Sequence, residues 1–224
     1  MSAASTSSLS SLRAELARLE RPVLRQEARP LPVCAGIELP GGGLARGALH
    51  EVLAAAPGCG AAFCATLLGQ AGGTVLWIHA QRAPHIPWPP GLARCGLPPE
   101  RLVLVEAPSP TEGLWAMEEA LRCRAVAGVV LAIGPLRADL TATRRLHLAA
   151  ETGGGIGLLL EEGAGGGRRP SAATTRWFVS PRGDLSEVSN NPRWSLELLR
   201  ARGGRPTGPW PVLLRNGALF LEEG

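Results

Sequence analysis

A glycine-rich loop lies early in the chain, and its spacing is that of a loop that binds a nucleotide phosphate. Such loops place a lysine after the last glycine and a serine or threonine next, because the lysine contacts the β- and γ-phosphates and the hydroxyl binds Mg²⁺. Alanines occupy both positions in this chain, so the loop lacks the groups that phosphate transfer requires. The residues of this degenerate nucleotide loop are Ala55, Gly58, Gly60, Ala61 and Ala62.

Composition alone does not explain why an alanine stands at the lysine position of the loop. All 23 basic residues of the 224-residue chain are arginine, and the net charge is +4. A chain rich in alanine, glycine, proline and arginine is typical of a GC-rich coding genome, which accounts for the absence of lysine. It does not account for Ala61, because an arginine was available for that position. The small positive charge permits contact with nucleic acid or an acidic partner but does not require it.

The sequence argues against several other classes of function. The five cysteines form no C-x-x-C pair and no histidine stands at ligand spacing, so we expect no metal site. No G-x-S-x-G motif provides a serine nucleophile. No apolar run reaches the roughly 18 residues that cross a bilayer. Residues 1–11 lack the regions of a secretory signal, so we expect a cytoplasmic protein without membrane contact.

Leucines near the N-terminus recur at intervals of three and four residues. They are Leu9, Leu12, Leu16 and Leu19. With charged residues between them and Pro22 after them, they predict an amphipathic helix of about three turns. This helix either docks on its own domain or binds a neighbouring subunit or partner. With the Pro-rich connector that follows, it makes up residues 1–36, and residues 37–224 are expected to form the core.

Apolar segments of strand length alternate with helical segments through the first part of the core. The predicted parallel strands are residues 48–54, 75–79, 102–106, 128–133 and 156–160. The predicted helices are residues 61–70, 110–125 and 140–151. Residues 82–99 are rich in proline and glycine, so we expect a loop with at most one short helix. The alternation predicts an α/β protein with a mostly parallel sheet flanked by helices.

The end of the core is expected to be antiparallel. Residues 174–180 and 193–201 alternate in polarity, and Asn216-Gly217 lies between apolar runs within residues 212–221. An Asn-Gly pair in this setting is the strongest short-range signal for a β-hairpin. We therefore predict antiparallel C-terminal strands that include a hairpin.

Several of these segments together resemble the core of RecA-like ATPases, over roughly residues 37–180. They are residues 41–47, the strand that leads into the altered loop, residues 75–83, residues 128–133 and residues 175–179. In active relatives a glutamate after the second strand activates the attacking water, and Gln81 stands at that place. An acidic residue at the end of the strand at 128–133 holds Mg²⁺ in those relatives, and Ile133 stands there.

The resemblance implies that the chain has lost ATP hydrolysis. A neutral amide cannot accept a proton from water at neutral pH, and an aliphatic side chain cannot bind a metal. Gln81 and Ile133 are therefore two further positions, besides Ala61 and Ala62, at which the resemblance implies that a group needed for ATP hydrolysis is missing. We expect a RecA-like fold that is not an enzyme and takes no cofactor.

Among degenerate RecA-like proteins, the chain resembles the ImuA family. The marks of this resemblance are the short length, the N-terminal leucine helix and residues 194–206. The family belongs to a bacterial mutasome of the SOS response. The resemblance implies an accessory role in translesion DNA synthesis, with ImuB and an error-prone C-family DNA polymerase as partners and RecA as a further candidate.

Two other functions remain open at this stage. The first is a divergent ATPase that binds phosphate through the backbone amides of residues 56–60 and through Arg82, because helix N-termini bind anions without lysine. The second is a cell-division inhibitor that resembles SulA, which is also a RecA-like fold without a phosphate-binding loop. The retained outline of the loop favours the ImuA family over SulA.

Two arginines in a glycine-rich segment are candidates for contact with DNA. Arg168 and Arg169 lie where RecA-like proteins use a loop to bind single-stranded DNA, and arginines there could contact phosphates weakly. The alternative is a solvated loop, which the absence of an aromatic residue to stack on a base favours.

Overall fold

The computed structural model describes residues 29–39, 41–80, 87–133, 138–163, 169–183 and 191–222. Within them the chain forms nine strands and four α-helices. The strands are β1 (Ala48–Ala54), β2 (Thr74–Ala80), β3 (Leu102–Ala107), β4 (Val126–Ala132), β5 (Ile156–Glu162), β6 (Thr175–Arg182), β7 (Arg193–Ala201), β8 (Thr207–Arg215) and β9 (Ala218–Leu221). The helices are α1 (Cys59–Gly69), α2 (Pro89–Arg94), α3 (Pro110–Arg122) and α4 (Leu140–Gly153), with a 3₁₀ turn at Pro99–Arg101.

The strands form one sheet in the order β3-β2-β4-β5-β1-β6-β7-β8-β9. Neighbours from β3 to β6 are parallel, and those from β6 to β9 are antiparallel. This confirms the predicted α/β class and its antiparallel C-terminal strands. Strand β1 lies inside the sheet, between β5 and β6. The loop after β1 therefore opens at the carboxyl edge of the parallel strands, where open α/β sheets bind their ligands.

Helices cover both faces of the parallel part of the sheet. Successive side chains of a strand point to opposite faces, so Trp77 of β2 packs on the side of α1, and Ile78 packs on the side of α3 and α4. Phe63 of α1 and Trp177 of β6 are fully buried, with ring centroids 5.8 Å apart. Burial of one such side chain contributes about 1.5–3 kcal/mol, so these rings hold α1 firmly on the sheet.

The ends of the elements differ slightly from the predicted ones. Helix α3 ends at Arg122 and not at residue 125. Cys123 leaves the helix with an extended backbone (φ −81°, ψ 116°), and β4 then begins at Val126. Apolar periodicity continues past Arg122 and so could not mark this end.

The predicted hairpin is confirmed. Asn216 (φ 50°) and Gly217 (φ 74°) both adopt left-handed conformations, as a two-residue type I′ turn requires. A Cβ added at Gly217 would lie 2.9 Å from the Cα of Gly96, so the turn packs directly on the loop after α2. Strand β8 begins at Thr207, earlier than predicted. The sequence pattern showed no sign of its first residues, because Pro209 and Pro211 argue against a strand.

The connector before β1 contributes to the core. Leu31 and Val33 are buried, and Leu31 exchanges two backbone hydrogen bonds with Leu44, of 2.8 and 2.7 Å. The division at residue 36 stays a prediction. The predicted helix with Leu9, Leu12, Leu16 and Leu19 lies outside the described residues. No helix in the part of the chain described by the structure is long and apolar enough to cross a membrane.

A chain of hydrogen bonds fixes the orientation of a buried histidine, His50. Trp177 Nε1 donates to Thr175 Oγ1 (3.0 Å), and Thr175 Oγ1 lies 2.8 Å from His50 Nδ1. His50 Nε2 lies 2.9 Å from the carbonyl oxygen of Ala45, which can only accept, so Nε2 carries the ring proton. Burial lowers the pKa of His50 from 6.5 to about 4.

This pKa predicts that the protein loses stability in mild acid. The unfolded chain binds a proton on His50 as the pH falls below 6.5, whereas the folded chain does so only near pH 4. His50 should therefore lower the free energy of unfolding by about 2 kcal/mol between about pH 7.5 and about pH 5. Urea unfolding at the two pH values measures this. His50→Gln should flatten the dependence, and an equally steep dependence in that variant would contradict the assignment.

Candidate functional site at the glycine-rich loop

The glycine-rich loop connects the end of β1 to the first turn of α1. Ala55 donates its N–H to the carbonyl of Val179 (2.9 Å), which fixes the start of the loop on β6. Gly58 has a left-handed backbone (φ 80°), and its carbonyl accepts the N–H of Ala62 (2.9 Å) as the helix begins. The loop thus joins a buried strand to a helix N-terminus, and helix N-termini in general are favourable places for anions.

Gly60 is required by packing. A Cβ at this position would lie 2.5 Å from Leu160 Cδ1 and 2.7 Å from the Cβ of Ala54. The first turn of α1 therefore rests directly on β1 and β5, with no space for a side chain. A glycine that the sequence associates with phosphate binding thus has a sufficient explanation in the contact between helix and sheet.

Ala61 and Ala62 follow Gly60 in the first turn of α1. Both are half-buried and pack against the hydrophobic core. They bring two methyl groups to the positions at which a phosphate-binding loop has a cation and a metal-binding hydroxyl. Neither side chain can bind an anion or a metal.

A carboxylate from the neighbouring strand binds the loop. Glu162, at the end of β5, accepts the N–H of Gly58 through Oε1 at 3.0 Å. A backbone N–H of the loop is thus bonded to an anionic side chain of the chain itself. Burial, with a smaller contribution from the negative charge of Glu162, raises the pKa of the nearby Cys59 and Cys64 thiols.

Sequence reasoning missed Glu162, although a signal was present. The predicted strand ended at residue 160, whereas β5 continues through Glu161 and Glu162. Two acidic residues directly after an apolar strand lie at the carboxyl edge of a parallel sheet. Glu162 is in register with Ala54, the last residue of β1, which is why its side chain reaches the loop.

The end of β4 is apolar. Ile133 is buried against α3 and α4, and its N–H donates to the carbonyl of Leu160 at 3.3 Å. Ala132 faces the opposite side of the sheet, toward α1. The structure thus places a packed aliphatic side chain where the resemblance implied a lost metal ligand. Gln81, the other lost position, lies outside the described residues.

Two buried ion pairs lie on the face of the sheet opposite the loop. Arg176 Nε donates to Glu51 Oε2 at 2.6 Å, and both side chains are buried. Arg169 pairs with the buried Glu161, and its carbonyl accepts Arg176 Nη2 at 3.1 Å. Loss of one member of a buried pair costs about 3–5 kcal/mol, because the other charge stays buried. These pairs have a structural role.

This geometry bears on the two arginines proposed to contact DNA. The guanidinium of Arg169 is mostly buried and engages Glu161. A contact with DNA phosphate would have to compete with this pair. Arg168 lies outside the described residues, so a role of Arg168 and Arg169 in DNA contact stays a prediction.

A pocket of about 270 Å³ opens beside the loop. Its described lining is apolar except for the carboxylate of Glu162. The lining includes Gly58, Ala61, Ala62, Trp77, Trp88, Leu92, Ala132 and Leu160. Among the described residues, no cluster of histidine, cysteine or acidic side chains could hold a metal ion. The walls of this pocket suit an apolar group.

These features define a class of protein: a mostly parallel, helix-flanked α/β sheet with a glycine-rich loop at its carboxyl edge. Proteins named ImuA from two strains of Caulobacter vibrioides are each 40% identical to the chain in an alignment 194 residues long. The match covers 75% of the chain and 76% of the relative. The chain therefore belongs to the ImuA family.

The chain also has a partial similarity to a protein with a different name. A protein named cell division inhibitor SulA, from Edwardsiella piscicida, is 36% identical over 96 residues, which is 42% of the chain and 53% of that protein. No family model matches the chain. The similarity to ImuA proteins thus covers much more of the chain than the similarity to SulA does.

The packing at Gly60 predicts a specific coupling of mutations. Gly60→Ala should lower the free energy of unfolding by about 1–3 kcal/mol, because the added methyl overlaps Leu160 and Ala54. In a Leu160→Val background the cost of Gly60→Ala should be smaller, because the overlapping Cδ1 is gone. Denaturant unfolding of the two single variants and the double variant measures the coupling.

Gly58 provides the matched control for this cycle. A Cβ at Gly58 meets nothing within 4 Å, and only its left-handed backbone opposes substitution. Gly58→Ala should therefore be additive with Leu160→Val. Additivity of Gly60→Ala with Leu160→Val would show that α1 does not rest on Leu160 as described.

Proposed function

We propose that the chain is a non-catalytic accessory protein of a bacterial SOS mutasome, which supports error-prone translesion DNA synthesis through protein-protein contacts. The observation that carries this proposal is the state of the glycine-rich loop. Gly58 donates to Glu162, and Ala61 and Ala62 supply methyl groups in place of a lysine and a hydroxyl. The 40% identity to proteins named ImuA supports the assignment to this system. We place the protein in the cytoplasm.

Electrostatics argue against a nucleotide phosphate at this loop. Two like unit charges about 4 Å apart repel by roughly 1 kcal/mol in water and roughly 4 kcal/mol near a protein surface. A hydrogen bond to a charged group contributes only about 1.5–3 kcal/mol. A phosphate beside Glu162 would meet the repulsion while one loop N–H is already bonded. With no lysine to offset that repulsion, phosphate binding is unfavourable.

The first test is nucleotide turnover. Titration of the purified full chain with labelled ATP, followed by a phosphate-release assay with Mg²⁺ present, should show no release above the protein-free background. An active RecA-like ATPase assayed in parallel provides the positive control. Sustained turnover would instead favour the divergent ATPase considered from the sequence, with Arg82 and the backbone amides of residues 56–60 as its phosphate ligands.

The partners are proposed from the family. ImuB and an error-prone C-family DNA polymerase are the expected partners, and RecA is a further candidate. A non-catalytic role requires that some surface of this chain recognises at least one of them. We expect the contact with ImuB to be direct.

Co-purification tests this contact. Tagged full-length chain should retain ImuB from the same bacterium after a wash at moderate ionic strength. Removal of residues 1–21 tells whether the leucine-bearing segment is needed: loss of ImuB assigns the contact to that segment, and retention assigns it to the core. Failure of the full-length chain to retain ImuB, with both proteins folded, would contradict the proposed function.

A second function is favoured by one observation, the partial similarity to SulA. A cell-division inhibitor would also act by binding a protein and would need no nucleotide. Filamentation of cells that overexpress the chain, without a change in mutation frequency after DNA damage, would favour this alternative. The greater coverage by ImuA proteins makes it the weaker of the two.

A further inference from the structure

The pocket beside the glycine-rich loop is small for a ligand site. Small-molecule sites usually enclose about 300–1,000 Å³, whereas this pocket measures about 270 Å³. Trp77, Leu92 and Leu160 form apolar walls, and the methyl groups of Ala61 and Ala62 face the same space. Such walls suit an aliphatic or aromatic side chain and disfavour a polar ligand.

An exposed tryptophan lies at the mouth of the pocket. Trp88 is 68% exposed, and directly after it α2 begins with two prolines. Its ring rests over Gly91, where an added Cβ would lie 3.0 Å from the ring atom Cε3. A tryptophan held in one position by its own helix is the type of residue that dominates binding energy at protein interfaces.

One charged side chain, Glu162, belongs to the described lining of the pocket. Its carboxylate is fixed by the N–H of Gly58. A negative charge at an apolar pocket repels phosphate groups, which disfavours nucleotides and nucleic acids as occupants. It favours a protein segment with an arginine or lysine beside an apolar residue, because the charges are complementary.

We propose that this pocket is a docking site for a basic segment of a protein partner. An apolar side chain of the partner enters between Trp88 and Ala62, and a neighbouring arginine or lysine faces Glu162. This inference rests on the proposed function, since it names the chemistry of the partner that a non-catalytic accessory protein would bind. It assigns the docking surface to the place where a nucleotide would lie in an active relative.

A peptide titration followed by NMR tests the pocket directly. The probe is a short peptide with one leucine between two arginines in a glycine-serine background, added to ¹⁵N-labelled full chain. The indole N–H signal of Trp88 and the amide signal of Gly58 should shift. The indole signal of Trp115 should not, because Trp115 is also exposed (62%) but lies on α3, on the opposite face of the sheet. Peptides with serine for leucine, or with glutamate for arginine, should bind at least several-fold more weakly.

Three variants separate the apolar and charged parts of the contact. Ala62→Leu fills the pocket and keeps a good helix former, and it should abolish the shifts. Trp88→Ala should weaken binding about tenfold or more. Glu162→Gln retains an acceptor for the N–H of Gly58 and removes only the charge, and it should weaken binding about threefold and reduce its salt dependence. Trp115→Ala is the matched control and should bind like the wild type.

The outcomes distinguish this inference from the proposed function. The proposed docking site is wrong if the arginine and glutamate peptides bind equally well. It is also wrong if Ala62→Leu and Trp88→Ala both bind the peptide like the wild type. If the full chain retains ImuB and these two variants retain it equally well, the docking site is wrong and the proposed function stands. If the wild type fails to retain ImuB, the proposed function fails, and the peptide titration alone decides whether the pocket binds basic segments.

Discussion

The carboxyl edge of the sheet is organised by the contact of α1 with β1 and β5 at Gly60. No side chain fits there, since a Cβ would lie within 2.7 Å of both Leu160 and Ala54. Because the first turn of the helix rests on the strands, the N–H of Gly58 comes within 3.0 Å of Glu162 at the end of β5. The same close approach brings Ala61 and Ala62 to the wall of the pocket.

The two acidic residues that end β5 have different roles, because their side chains lie on opposite faces of the sheet. Glu161 and Glu162 are adjacent in sequence, but successive side chains point to opposite faces of a sheet. Glu161 is buried against Arg169 on the side of α3 and α4. Glu162 lies on the side of α1 and bonds the loop. One carboxylate is neutralised within the fold, and the other gives the pocket its negative charge.

Much of this arrangement could be predicted from the sequence, and the rest depends on contacts between distant residues. The strand at Ala48–Ala54 and the Asn216-Gly217 turn follow from local patterns, an apolar run before a glycine loop and a pair that tolerates left-handed backbone. The bond from Gly58 to Glu162 joins residues 104 positions apart. It depends on the register that pairs Ala54 with Glu162, and no local pattern gives that register.

The fold also explains why the chain has a glycine-rich loop although Ala61 and Ala62 cannot bind a phosphate. Gly60 is required by packing whether or not a ligand binds. Gly58 allows the left-handed turn with which α1 begins, because glycine adopts that conformation without strain. The N–H of Gly58 donates to Glu162. The fold thus accounts for both glycines, while Ala61 and Ala62, which the fold does not fix as strictly, set the polarity of the pocket. The two methyl groups of Ala61 and Ala62 therefore decide what the site can bind, whereas the contacts of Gly60 and Gly58 hold its framework.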